Sequence, residues 1–209
     1  MTAGGRWKGT QPGAVAALTV LGAALVLSAC ADADDDSGPV VLSGVPCWGL
    51  VEQSDLLPVL EPGKDAKVQE TDLERVLTRS RQSDCTVLQP GGAEISAFVE
   101  WRSQNPDKNP DPIRSWHGPR DVEGLIDKPW GVGAGSWING ARVALQCEGP
   151  APDPSAAHAQ DTFLEVRVTG SPLKGLDPEK ARKTYAELTL KLAKGVAQKA
   201  GCTNDVNLP

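Results

Sequence analysis

The sequence predicts an α+β fold: an antiparallel sheet of about four strands with helices packed on one face and two disulfides stapling it. Three observations lead there. Two pairs of segments alternate apolar and polar residues at the period of a strand, and the last long segment repeats apolar residues at the period of a helix. Cys47, Cys85, Cys147 and Cys202 are distributed so that each half of the chain holds one cysteine in a helical segment and one in a strand.

The elements follow in order. "CWGLVEQSDLLPVL" from Cys47 reads as a short helical turn with Ser54 as N-cap and a stop near Pro62-Gly63. "TDLERVLTRS" carries Thr71 and Glu74 at capping-box spacing ahead of Val76 and Leu77, which predicts a second short helix. "CTVLQ" and "EISAFVEWR" then form a hairpin about Pro90-Gly91-Gly92. In the second of these, Ile95, Ala97, Val99 and Trp101 alternate with Glu94, Ser96, Glu100 and Arg102. "ARVALQCEG" and "TFLEVRVTG" supply the other two strands, with Phe163, Glu165, Arg167 and Thr169 on one face and Leu164, Val166 and Val168 on the other. The final helix opens on Asp177 as N-cap and Pro178 as first helical residue, and buries Ala181, Tyr185, Leu188, Leu192 and Val196. Gly201 ends it and places Cys202 beside the strand bearing Cys147. Four cysteines allow three connectivities. This organisation favours Cys47 with Cys85 and Cys147 with Cys202, and the two pairings across the halves are the alternatives.

The N-terminus has a different character. Arg6 and Lys8 precede an apolar run from Ala14 to Val26, and no acidic residue occurs before Cys30. A basic region, a largely apolar run spanning 13 residues and the small residues Ser28 and Ala29 stand in secretory order. The run is short and glycine-diluted for a membrane span, which needs about 20 apolar residues. Leu27-Ser28-Ala29-Cys30 resembles the lipobox of bacterial lipoproteins, and that resemblance implies that Cys30 is diacylated and becomes the first residue of the mature chain. The expected organisation is a signal peptide over residues 1–29, an acidic tether over 30–45 and a single extracytoplasmic domain over 46–209.

The full chain has 21 Lys and Arg against 27 Asp and Glu, a net charge of −6. Losing residues 1–29 removes two basic residues and no acid, leaving 19 against 27 and a charge of −8. An acidic domain repels polyanions, so nucleic acid is excluded as a partner. Two acyl chains suffice for stable attachment to a membrane, so the location expected is the outer face of the cytoplasmic membrane.

Chemical motifs are scarce. Only His117 and His158 offer a base at neutral pH. "GAGSW" at residues 133–137 lacks the framing of a nucleophile elbow. "GVGAGSW" is not the G-x-G-x-x-G of dinucleotide sites, so no cofactor is indicated. Ser171 and Lys174 match S-x-x-K, but Gly175 follows at once and no K-T-G occurs. Asp107, Asn109 and Asp111 have calcium-loop spacing, but Pro112 and Gly118 stand where glycine and glutamate are required. No cysteine lies at zinc spacing, so neither a metal site nor a catalytic set is expected, and the chain reads as a non-enzymatic binding domain. An envelope hydrolase working through His117 with Asp121 or Glu123 is the alternative.

Residues 103–140 join two strands through 38 positions with little periodicity, and connections beyond about 15 residues are usually functional or disordered. Trp116, Trp130 and Trp137 argue for order. With His117 and Arg120 they make a possible binding surface for an envelope protein or a cell-wall component; otherwise they fold back over the open face of the sheet as core.

"PCWGLVEQSDLLPVL" followed by "DCTVLQ" and "EISAFVEW", and later "ARVALQC" with a helix ending in "GC", resembles the small exported lipoproteins of actinobacteria, of streptomycete type, many of them grouped as domains of unknown function. The resemblance rests on cysteine placement and patterning, and it implies an envelope lipoprotein without indicating a mechanism.

Overall fold

A computed structural model describes residues 40–79, 82–102, 126–128, 133–149, 154–156, 162–171, 175, 177–203 and 208–209. Among these residues eight strands form one sheet: β1 (Leu42–Ser43), β2 (Ala66–Glu70), β3 (Ser83–Leu88), β4 (Glu94–Arg102), β5 (Ile126–Lys128), β6 (Gly133–Trp137), β7 (Gly140–Gln146) and β8 (Phe163–Gly170). Their order is β1-β2-β3-β4-β8-β7-β6-β5. Every neighbouring pair is antiparallel except β1 with β2, which is parallel. The four expected strands are the contiguous centre, β3-β4-β8-β7. The expectation of about four antiparallel strands is corrected to a mixed sheet of eight, widened by two strands at each edge.

The additional strands carry weak local signals. β6 is "GAGSW", glycine-rich text with low strand propensity; its pairing with β7 makes it a strand. Residues 103–140 are therefore not one structureless connection, since β5 and β6 lie inside them. β2 follows a Pro-Gly turn and is mostly exposed. At the other end of β2's pairing, Val40 is buried and Leu42–Ser43 already join the sheet, upstream of residue 46.

The helical segments among the described residues lie on one face. Ile95, Ala97, Val99 and Trp101 of β4 pair with Gly170, Val168, Val166 and Leu164 of β8, and on this face the C-terminal helix α3 (Pro178–Lys199) packs over β6, β7 and β8. Leu164, Val166, Val168, Tyr185, Leu192 and Val196 have at most 1 % of their surface exposed. Asp177 Oδ1 accepts from the N–H groups of Glu179 and Lys180, and Pro178 takes the first turn. At the far end Gly201 has φ +67°, and the N–H groups of Gly201 and Cys202 donate to the carbonyls of Gln198 and Ala197. That is a Schellman closure, which only a residue tolerant of positive φ completes without strain. The fit between helix and sheet is close at Gly170, where a Cβ would stand 2.3 Å from the Tyr185 hydroxyl.

The two short helices sit on the same side but are capped differently from expectation. α1 (Gln53–Leu56) has Glu52 as N-cap, in a reciprocal box with Asp55, and Ser54 lies inside it. α2 (Glu74–Leu77) does not use Thr71, whose hydroxyl instead bonds Asp84 of β3. α2 closes the end of the core, where the Val76 carbonyl accepts from the Trp101 indole at 2.6 Å and Arg79 stacks 3.9 Å from that ring's centre.

Both favoured disulfides are present, Cys47–Cys85 and Cys147–Cys202, closing 38 and 55 residues of chain. In the chain-entropy account each stabilises the fold by about 4 kcal/mol.

Candidate functional site

The face of the sheet that carries no helix among the described residues, called here the helix-free face, is built from the alternate residues of the same strands. Register sets them in rows. Thr86, Ser96, Thr169 and Gly140 form one row; Asp84, Phe98, Arg167 and Arg142 the next; Glu100, Glu165 and Ala144 a third; Arg102, Phe163 and Gln146 the last. Rows on one face are separated by two residues, about 7 Å.

Two of these rows set like charges opposite one another. Arg142 of β7 pairs directly with Arg167 of β8, and Glu100 of β4 pairs directly with Glu165 of β8. Like charges at directly opposed positions destabilise a sheet. Attraction comes instead from the neighbouring row: Arg102 pairs with Glu100, two residues back on β4, and its Nε lies 3.3 Å from the diagonal Glu165 Oε2. That second contact is close enough for charge attraction but is not aligned as a hydrogen bond, so neither atom has a hydrogen-bond partner among the described residues.

Glu165 is only 4 % exposed, and its carboxyl titrates above the ordinary value of 4.5. Burial is the main cause; Arg102 opposes it, Glu100 reinforces it, and Arg167 and Arg142 oppose it. Half-exposed Arg167 packs its guanidinium over Phe98, 4.9 Å from the ring centre, and its Nε has no hydrogen-bond partner among the described residues.

At the hydroxyl end of the face a hollow of about 210 Å³ is lined by Glu94, Ser96, Thr169, Gly170 and Ser171. The Ser96 hydroxyl lies 3.1 Å from that of Thr86 and 3.4 Å from Glu94 Oε1, and Ser171 Oγ accepts from the Glu94 N–H. Beneath it, Tyr185 donates to the Ser171 carbonyl at 3.3 Å, and burial pushes its phenol up to about 12.

A second hollow, of about 530 Å³, lies beside the first disulfide, between Trp48, Glu70, Asp72 and Lys199. Its wall is a left-handed turn in which Cys47, Trp48 and Gly49 have φ of 44°, 59° and 71°. Left-handed backbone costs non-glycine residues roughly 1–2 kcal/mol each, and fixed contacts hold it. Cys47 is bonded to Cys85, the Trp48 N–H donates to Glu70, and the indole donates to the Thr71 carbonyl.

Of the residues singled out in the sequence, Trp137 is buried in β6 and lies across Gly140, where a Cβ would stand 2.5 Å from the indole. It therefore offers no exposed ring. Trp116, His117, Arg120 and Trp130 lie outside the described residues, as do Asp121, Glu123 and the lipidation residue Cys30. Among the described residues no group of three or more His, Cys, Asp or Glu is arranged to hold a metal ion, and no helix is long and apolar enough to cross a membrane. The charge-bearing face was visible in the sequence as alternation along β4 and β8. The facing of arginine with arginine and glutamate with glutamate was not, because it depends on register. No family model, curated protein or solved structure matches the chain.

Proposed function

We propose that the chain is a lipid-anchored, non-enzymatic binding domain of the cell envelope, held through Cys30 at the outer face of the cytoplasmic membrane and engaging an envelope protein or wall component through its helix-free sheet face. The observation that carries this reading is the pair of like-charge cross-strand rows, Arg142 with Arg167 and Glu100 with Glu165. A surface kept only for stability would alternate the signs, whereas local conflicts of this kind concentrate where a protein serves a ligand. The lipobox-like Leu27-Ser28-Ala29-Cys30 supports the anchor, and the resemblance to exported actinobacterial lipoproteins agrees with it.

Photo-crosslinking tests the face. A benzophenone side chain at Phe98 is expected to capture a partner in intact cells, while one at Lys183, exposed on α3, captures none. Equal capture at both positions, or none at Phe98, refutes the assignment. Turnover of wall fragments that disappears in His117→Ala would replace this reading with the hydrolase. The anchor has its own readout: Cys30→Ser should leave an unprocessed precursor or release an unlipidated form, and an unchanged mature mass would refute it.

A further inference from the structure

We infer that the hollow beside the first disulfide is a second binding site, one that takes a basic side chain, lysine or arginine, of a polypeptide partner. Glu70 pairs with Cys85 and Cys85 with Ala97, which sets this hollow on the opposite side of the sheet from Arg167 and Glu165. Two chemistries meet in its lining. Val45, Trp48 and Leu73 give an apolar wall, and Glu70 and Asp72 give carboxylates. Lys199 is the one base that lines it, and its ammonium already donates to the Trp48 carbonyl at 3.3 Å. Two negative charges therefore face one positive charge that is engaged.

Both carboxylates are held in place by one oxygen and left open at the other. Glu70 Oε2 accepts from the Trp48 N–H at 2.7 Å, and Asp72 Oδ1 accepts from the Glu74 N–H at 2.9 Å. Both residues are exposed, and neither forms a salt bridge among the described residues. Because each group is already oriented by backbone, less rotamer freedom is lost when a cation arrives. Trp48 is fixed as firmly, by its indole bond to the Thr71 carbonyl and by its left-handed backbone beside the Cys47–Cys85 bond. Strained backbone persists where surrounding contacts over-determine it, and such positions gather at ligand clamps. A basic side chain suits both parts of the lining, with its aliphatic stem on the apolar wall and its charged head at the carboxylates. An anion would be repelled by Glu70 and Asp72, and an uncharged apolar group would take water from them and return nothing. The volume of about 530 Å³ lies within the roughly 300–1,000 Å³ of ligand sites. One side chain fills only part of it, which leaves room for flanking backbone against Val45, 68 % exposed.

The test compares two tripeptides that share one aliphatic stem. Acetyl-Ala-Lys-Ala-amide carries the ammonium that its norleucine counterpart lacks, and both can be titrated into the full chain in detergent while the Trp48 indole N–H resonance is followed. The lysine peptide should bind about tenfold more tightly at low ionic strength, the worth of one charge-assisted contact, and added salt should shrink that ratio. Glu70→Gln combined with Asp72→Asn keeps both acceptors for the backbone N–H groups but removes the charges, so the ratio should fall close to one. Should that double variant fail to fold, Asp72→Asn alone reads the same ratio, expected to drop about threefold. Lys199→Gln removes the opposing charge and should tighten the lysine peptide while leaving the norleucine peptide unchanged. Equal affinities in the unaltered protein overturn the inference, as does a ratio that the neutral variants leave intact. Absence of any indole shift with the lysine peptide and with an arginine counterpart overturns it too. Photo-capture at Phe98 reads the other side of the sheet, so the two assignments fail or stand separately.

Discussion

Along β4 the residues on the helix-covered side of the sheet are Ile95, Ala97, Val99 and Trp101, and those on the other side are Ser96, Phe98, Glu100 and Arg102. The first set is at most 3 % exposed and meets Val168, Val166 and Leu164 of β8 without a charge in the row. The second set meets Thr169, Arg167, Glu165 and Phe163, and one of its rows brings two carboxylates together. One strand pair thus supplies both a dry interior and a charge-bearing face, partly buried, that opposes its own pairing. The contrast separates the part of the molecule that makes the fold from the part the fold carries. Covalent bonds follow the same division: Cys85 lies on the helix side of β3 and ties it to the turn at Cys47, while Cys147 ties the end of β7 to the end of α3.

The largest effects should come from the helix side. Replacing Cys147 and Cys202 together by alanine releases a closed span of 55 residues and should cost about 4 kcal/mol, read as a lowered urea midpoint. Survival of the original midpoint would mean that α3 holds its place by packing alone. Leu164→Ala, at a fully buried position against α3, should cost about 3 kcal/mol. Thr169→Ala on the opposite face should stay within roughly 0.5 kcal/mol. Comparable losses for the two would erase the distinction between the faces.

Glu165 gives a smaller effect with a definite sign. Its folded carboxyl titrates above 4.5, so the folded state retains a proton that the unfolded chain has released. Its contribution to stability is complete below the unfolded value and is lost as pH rises through the folded one. The unaltered protein should therefore lose stability relative to Glu165→Gln across that window, with no further divergence above it. A difference that grows as pH falls would mean that the arginines, and not burial, dominate the site.

Much of the helix side was legible in the sequence, because its signals are local or nearly so. Asp177-Pro178, the apolar spacing from Ala181 to Val196, and Gly201 mark α3 from end to end. Pro90-Gly91-Gly92 marks the β3–β4 turn, where the Gln89 N–H donates to the Ala93 carbonyl. Legibility failed where a tertiary partner decides the outcome. Gly133, Ala134 and Gly135 become strand because β7 pairs with them, and Thr71 abandons its capping box because Asp84 is nearer to hand. The charged face was half legible: β4 and β8 alternate openly, but Arg142 is a lone charge in "ARVALQ", and its position opposite Arg167 exists only in the paired sheet.

The central claim is that the helix-free face is kept for a ligand and not for the fold, and neutralising the like-charge rows tests it most directly. Glu100→Gln, Arg142→Gln and Arg167→Gln should be combined in one chain, with the thermal midpoint and photo-capture from a benzophenone at Phe98 measured side by side. Loss of capture is predicted, with a midpoint unchanged or raised by a few degrees, since opposed like charges are removed. Intact capture together with a midpoint lowered by about 4–8 °C, the shift expected from losing about 2 kcal/mol in a domain of this size, would contradict the claim and assign those charges to the fold.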